Sequence, residues 1–151
     1  ELEGGILNMN KGYSKIVDRF VLGGRSFRGF KYSGIGPREL SGGQYTIPLG
    51  GEKYAIARFA ASFPLGLPRE LGLYGSVFAE AGSLWDIKTD PNVAGLSDKI
   101  ALTDRAFRTS IGFAMNWETP IGPLQFNWSR PQKYLDADSL EYFSLNLATR
   151  F

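Results

Sequence analysis

The chain contains no cysteine and no histidine. Disulfide frameworks, thiolate metal sites, thiol nucleophiles and every histidine-dependent triad are therefore excluded by inventory. Charge of one sign is also lacking, because 17 Lys+Arg face 15 Asp+Glu and leave a net charge of only +2. A chain built to neutralise phosphates would be far more basic, so nucleic acid is not an expected partner. Long apolar runs are missing as well. The longest stretch free of acidic and basic residues is Leu40–Gly51, which contains Pro48. A membrane-spanning helix needs about 20 apolar residues, so none is expected. The opening Glu1-Leu2-Glu3 is no basic-then-apolar leader, and the chain is expected to be a piece of a longer protein.

What is abundant is glycine, at 19 of 151 residues, together with 14% aromatics. That many aromatics argue against disorder, and that many glycines argue against a helical domain. Period-two alternation then dominates the chain. From Phe107 the odd positions read Phe107, Thr109, Ile111, Phe113, Met115, Trp117, and the even ones Arg108, Ser110, Gly112, Ala114, Asn116, Glu118. Such strict alternation predicts a strand. Leu124, Phe126 and Trp128 alternate with Gln125, Asn127 and Ser129, and Phe143, Leu145, Leu147, Thr149 and Phe151 alternate with Ser144, Asn146, Ala148 and Arg150. Residues 54–65 and 71–85 read as two more strands, with Glu80 opposite Val77 and Ala79. Residues 2–8 and 14–22 read as further strands.

Pro64-Leu65-Gly66-Leu67-Pro68 and Thr119-Pro120-Ile121-Gly122-Pro123 read as short turns, whereas 23–51, 86–105 and 130–139 read as long loops. Antiparallel strands joined in this way form either a soluble β-sandwich or the wall of a membrane barrel. The faces opposite the aromatics favour the barrel. Gly112, Ala114, Asn116, Gln125, Asn127, Ser144 and Asn146 are small or neutral-polar, as a lumen requires, and lack the Lys/Glu mixture of a soluble surface. Trp85, Trp117, Trp128 and Phe151 lie at or near strand ends, as an interfacial girdle would. Gly24–Lys31 approaches a phosphate loop, but Phe30 stands where that motif needs lysine. No acidic spacing resembles a calcium loop or a carboxylate pair.

A set of segments, in order over nearly the whole chain, resembles the barrels of bacterial outer-membrane assembly factors, a superfamily that also holds TamA and the two-partner secretion transporters. Asp18–Phe30, with its core Phe27-Arg28-Gly29-Phe30, looks like the family's signature loop. Gly34-Ile35-Gly36-Pro37-Arg38 and Gly42-Gly43 continue it. Phe78-Ala79-Glu80-Ala81-Gly82 is similar to the family's Phe-x-Asp-x-Gly strand motif, with Glu for Asp. Trp117–Leu124 looks like the hairpin before the last two strands, and Phe151 like a terminal assembly signal, with Phe143, Leu145 and Leu147 on its face. One departure is Ala60, where the family usually carries an acid. Another is that the resemblance covers only the last third of the family's full protein.

The resemblance implies an all-β fold, an antiparallel meander forming the C-terminal portion (1–151) of a transmembrane β-barrel of about 16 strands, with a long loop inserted in the lumen. It implies an integral protein of a Gram-negative outer membrane. Its role would be to fold and insert other barrels by lateral opening and strand augmentation, without cofactor, metal or catalytic residue. Unfolded outer-membrane proteins, accessory lipoproteins and outer-membrane lipid are the implied partners, and open strand edges would drive self-association of the isolated piece. The resemblance further implies that Arg28 meets Glu80 and locks the loop, with Phe78 and Gly82 on the same wall. The face assignment permits this meeting. A TamA-like or secretion-transporter barrel, a porin-like channel and a soluble β-sandwich binding module are the alternative readings.

Overall fold

The computed structural model describes residues 1–8, 12–88, 92, 95 and 97–147. Strands β1 (Leu2–Ile6), β2 (Arg38–Ser41), β3 (Gln44–Pro48), β4 (Lys53–Pro64), β5 (Leu73–Trp85), β6 (Ile100–Ala101), β7 (Arg108–Thr119), β8 (Gly122–Lys133) and β9 (Phe143–Leu147) follow in order, with three short 3-10 turns between them. Six of the strands make one sheet in the order β1-β4-β5-β7-β8-β9, and β3-β2-β6 make a small second one. Every pairing in both is antiparallel. The large sheet does not close on itself. Among the described residues no helix is long and apolar enough to cross a membrane, which says nothing against crossing by strands.

Alternation decides which face each side chain takes. The register aligns Arg58, Glu80 and Ser110 across β4, β5 and β7 on one face, and Phe59, Ala79 and Ile111 on the other. The outer face is aromatic and bare. Phe113 lies 6.3 Å from Phe63 and 5.9 Å from Trp128, and Trp128 lies 5.6 Å from Phe143, so the rings form a row across the strands. Phe59, Val77, Ile111, Trp117 and Leu145 are exposed on this face. Among the described residues no second layer covers these side chains, as a sandwich core would demand. The inner face is small and polar, and amides link strand to strand. Asn116 donates to Ser76, Gln125 to Asn116, and Asn127 to Gln125 and Ser144.

Short turns join the strands at one rim. Pro120 and Ile121 alone connect β7 to β8, with Thr119 Oγ1 donating to Gly122 O at 2.6 Å. All the long connections leave the opposite rim, and the first of them folds back over the inner face. Leu22, Phe27, Phe30 and Ile35 from this loop bury against Ile56 of β4 and Leu84 of β5, and this cluster is the core. The core therefore lies between loop and sheet.

Several boundaries differ from the sequence-based expectation. Residues 14–22 form no strand, because Ile16–Asp18 is a 3-10 turn closed by Lys15 N donating to Asp18 Oδ2, and Phe20 makes a single bridge to Gly51. The loop 23–51 contains the β2–β3 hairpin, and 86–105 contains β6. Strand β8 continues to Lys133, past a register shift near Thr109/Ser110, so the connection expected at 130–139 begins after Lys133. The last strand begins at Phe143. Phe151 lies outside the described residues.

Candidate functional site

The inner wall between β4 and β7 receives the loop. Arg28 Nε donates to Glu80 Oε1 at 2.6 Å, and the backbone N–H of the same residue donates to Glu80 Oε2 at 2.7 Å. One carboxylate thus holds both the side chain and the backbone of the loop residue. The Arg28 guanidinium also stacks over the Phe78 ring, 3.6 Å from its centroid. Gly112, paired with Phe78 in the register, makes room for that ring, since a methyl group there would stand 2.8 Å from ring carbon Cε1. With a side-chain exposure of 12% for Arg28 and 1% for Glu80, the pair is largely withdrawn from water. Charge-assisted hydrogen bonds are strongest in such surroundings.

Gly29 makes the approach possible. Its φ of +94° lies in the region that favours glycine, and a Cβ would stand 2.9 Å from Ser110 Cβ. Ser110 Oγ in turn donates to Arg28 O at 2.5 Å. The flanking Phe27 and Phe30 are fully buried, with ring centroids 4.8 Å apart, so the motif points its cation at the wall and its rings into the core. Gly82 shares the wall face with Phe78 and Glu80 but touches the neighbouring strand instead of the loop, a Cβ there standing 3.0 Å from Ala55 O. The departure at Ala60 means that this position offers Arg58 no carboxylate. Its Nη2 and Nε donate instead to Ser26 O at 2.7 and 3.1 Å, and its Nη1 to Glu3 at 2.7 Å. Arg25, Arg28, Arg58, Glu80, Asn116 and Gln125 border an open cavity of about 530 Å³ on this face. Phe143, Leu145 and Leu147 all lie exposed on the outer face of β9, away from the cavity.

A second ion pair was not expected from the sequence. Arg108 Nε and Nη2 each lie 3.0 Å from an oxygen of Asp138, and both side chains are wholly buried. Arg108 was visible as the one cation on the small-residue face of β7, and that was the available signal. Its partner, 30 residues away in a polar connection, gave none. Arg38 lies close by and donates to Gly34 O and Ser139 Oγ. Burial pushes the Arg38 guanidinium below its usual range, and the Asp138 carboxylate opposes that shift.

Comparison with known proteins adds the family. The model of the Omp85 superfamily domain matches residues 1–151. The outer membrane protein assembly factor BamA of Neisseria meningitidis serogroup B is 31% identical over 98% of this chain, which spans 21% of that relative. BamA of Neorickettsia risticii is 32% identical over 73% of the chain and 13% of the relative. A SAM50-like protein of Schizosaccharomyces pombe is 33% identical over 85% of the chain and 26% of the relative. The chain thus spans between 13% and 26% of the length of these curated relatives. With an all-antiparallel sheet, a bare aromatic face and a loop docked on the polar one, the chain belongs to the Omp85 superfamily.

Proposed function

We propose that this chain forms the C-terminal wall of the barrel of an outer-membrane protein assembly factor, integral to the outer membrane, that folds and inserts other β-barrels. The observation that supports this most is the loop held on the polar wall through Arg28 and Glu80. A sandwich would cover the aromatic face, which here is bare.

The physical task is the unpaired strand edge, since each unsatisfied backbone group in hydrocarbon costs several kcal/mol. A barrel that opens beside β9 lends that edge to an incoming strand, so backbone pairing replaces solvation during entry. The docked loop keeps the wall in shape while the seam opens. Phe143, Leu145 and Leu147 present the apolar face by which the assembly machinery recognises a terminal strand. Nothing in this sequence of events forms or breaks a covalent bond. Unfolded outer-membrane proteins are the substrates, and accessory lipoproteins assist.

The test is reconstitution of the full-length protein in lipid vesicles with an unfolded barrel substrate. Substrate folding is expected to accelerate, and to fall back toward the protein-free rate with Glu80→Ala. Ion conduction without acceleration would refute the reading in favour of a channel. Acceleration confined to secreted passengers would refute it in favour of a secretion transporter.

A further inference from the structure

Among the described residues strand β9 pairs with β8 over Phe143–Leu147, and it is the last strand in the order of the large sheet. Ser129 N donates to Tyr142 O, so by antiparallel alternation Phe143, Leu145 and Leu147 turn their N–H and C=O groups toward the open edge. Additional contacts come from the long loop. Glu141 N donates to Gly29 O, Lys31 N to Ser139 O and Ser139 N to Gly34 O, at 2.8–2.9 Å, and Phe30 bridges Leu140. At the other end of β9, Arg25 Nη2 donates to Leu147 O.

This lacing requires the β8–β9 connection to hold one shape, and the buried ion pair sets that shape. Asp138 accepts two hydrogen bonds from the Arg108 fork and a third, at 2.7 Å, from the N–H of Leu135. Arg108 Nη1 donates to Ala106 O, so the fork is itself fixed at the start of β7. Both side chains have an exposure of 0%. We infer that Arg108 and Asp138 are positioning residues, an anchor that fixes the root of β9 so that the loop can lace to it and the open edge is presented in one register. The anchor stands apart from the assembly reading; its consequence for strand capture rests on that reading.

Amide exchange on the full-length protein in lipid tests the anchor. With Asp138→Asn, exchange over 139–147 is expected to rise at least tenfold while β4, β5 and β7 keep their protection. Where Asp138→Asn fails to fold, Arg108→Met/Asp138→Leu serves, because it buries no charge yet lacks the fork and the acceptor for Leu135. Unchanged exchange over 139–147 would overturn the anchor, and so would an equal rise in β5 and β7, which marks a general loss of stability. The consequence is read from disulfide capture of a substrate's last strand by a Leu145→Cys version of the protein. Capture is expected to drop several-fold with the anchor variants. Capture that persists undiminished despite localised exchange would overturn the positioning role. If the otherwise unaltered Leu145→Cys protein captures nothing, the assembly reading fails and the anchor is judged on exchange alone.

Discussion

Removing the two partners of the loop contact should not be equally harmful. Glu80 accepts from Arg28 twice, once from the guanidinium and once from the backbone N–H. Arg28→Ala removes only the first bond. The carboxylate keeps the backbone donor, and water from the adjoining cavity can enter the space left by the side chain. Glu80→Ala removes both bonds and leaves a guanidinium stacked on Phe78 with no counter-charge. Breaking a buried pair at the acid should cost about 3–5 kcal/mol. Losing the guanidinium bond alone should cost about 1.5–3 kcal/mol. Glu80→Asp, one methylene shorter, should reach one donor and fall between. The assay is amide exchange of 26–31 in the full-length protein, where about 3 kcal/mol accelerates local opening roughly a hundredfold. The double variant should be no worse than Glu80→Ala. Arg28→Ala proving as costly as Glu80→Ala, or losses that add, would refute the two-bond account.

Gly29→Ala should destabilise the docked loop by about 1–3 kcal/mol, since its backbone conformation and the 2.9 Å approach to Ser110 both oppose a methyl group; an unchanged melting temperature would count against this. Phe126→Lys, on the outer face near mid-membrane, should cost about 2–4 kcal/mol in a folding titration of the full barrel. Gln125→Lys should cost about 1 kcal/mol, through its bonds to Asn116 and Asn127, and equal costs would invalidate the assignment of faces. The isolated chain, with β1 and β9 at the two ends of its sheet, should associate by edge pairing in detergent-free buffer, and a monodisperse monomer in light scattering would contradict that.

The strands were legible because lipid and lumen demand opposite chemistry of alternate residues, and β7 follows that rule over its whole length. The loop's own structure was less legible. Ile16 and Val17 look like strand residues, yet both are exposed on a 3-10 turn, because Asp18 closes the turn on Lys15 before any ladder forms. The β2–β3 hairpin was read as part of the loop: the glycines of Ser41-Gly42-Gly43-Gln44 take φ of 59° and 78° as a tight two-residue turn needs, but the flanking strands are too short to alternate. Face assignment could place Glu80 on the polar side without saying what would meet it. Arg108 was legible as a misplaced cation, whereas Asp138 in a polar connection looked like any solvated acid.

The inner face also changes character along the strands. Toward the short-turn rim it offers Ser76, Asn116 and Asn127, and toward the long-loop rim Ile56 and Leu84. Apolar burial is non-directional, so Leu22, Phe27, Phe30 and Ile35 would be drawn to the second region without any fixed orientation. The paired charges supply what burial cannot. Glu80 lies between the two regions, and its two oxygens admit one placement of Arg28, with side chain and backbone both engaged. Sliding the loop by one residue would put Phe27 or Gly29 against the carboxylate and strand a charge, so the ion pair acts on register more than on attraction. The loop is therefore held at the apolar rim and stopped at the polar boundary, which leaves the amide-lined half of the wall open as a cavity beneath it.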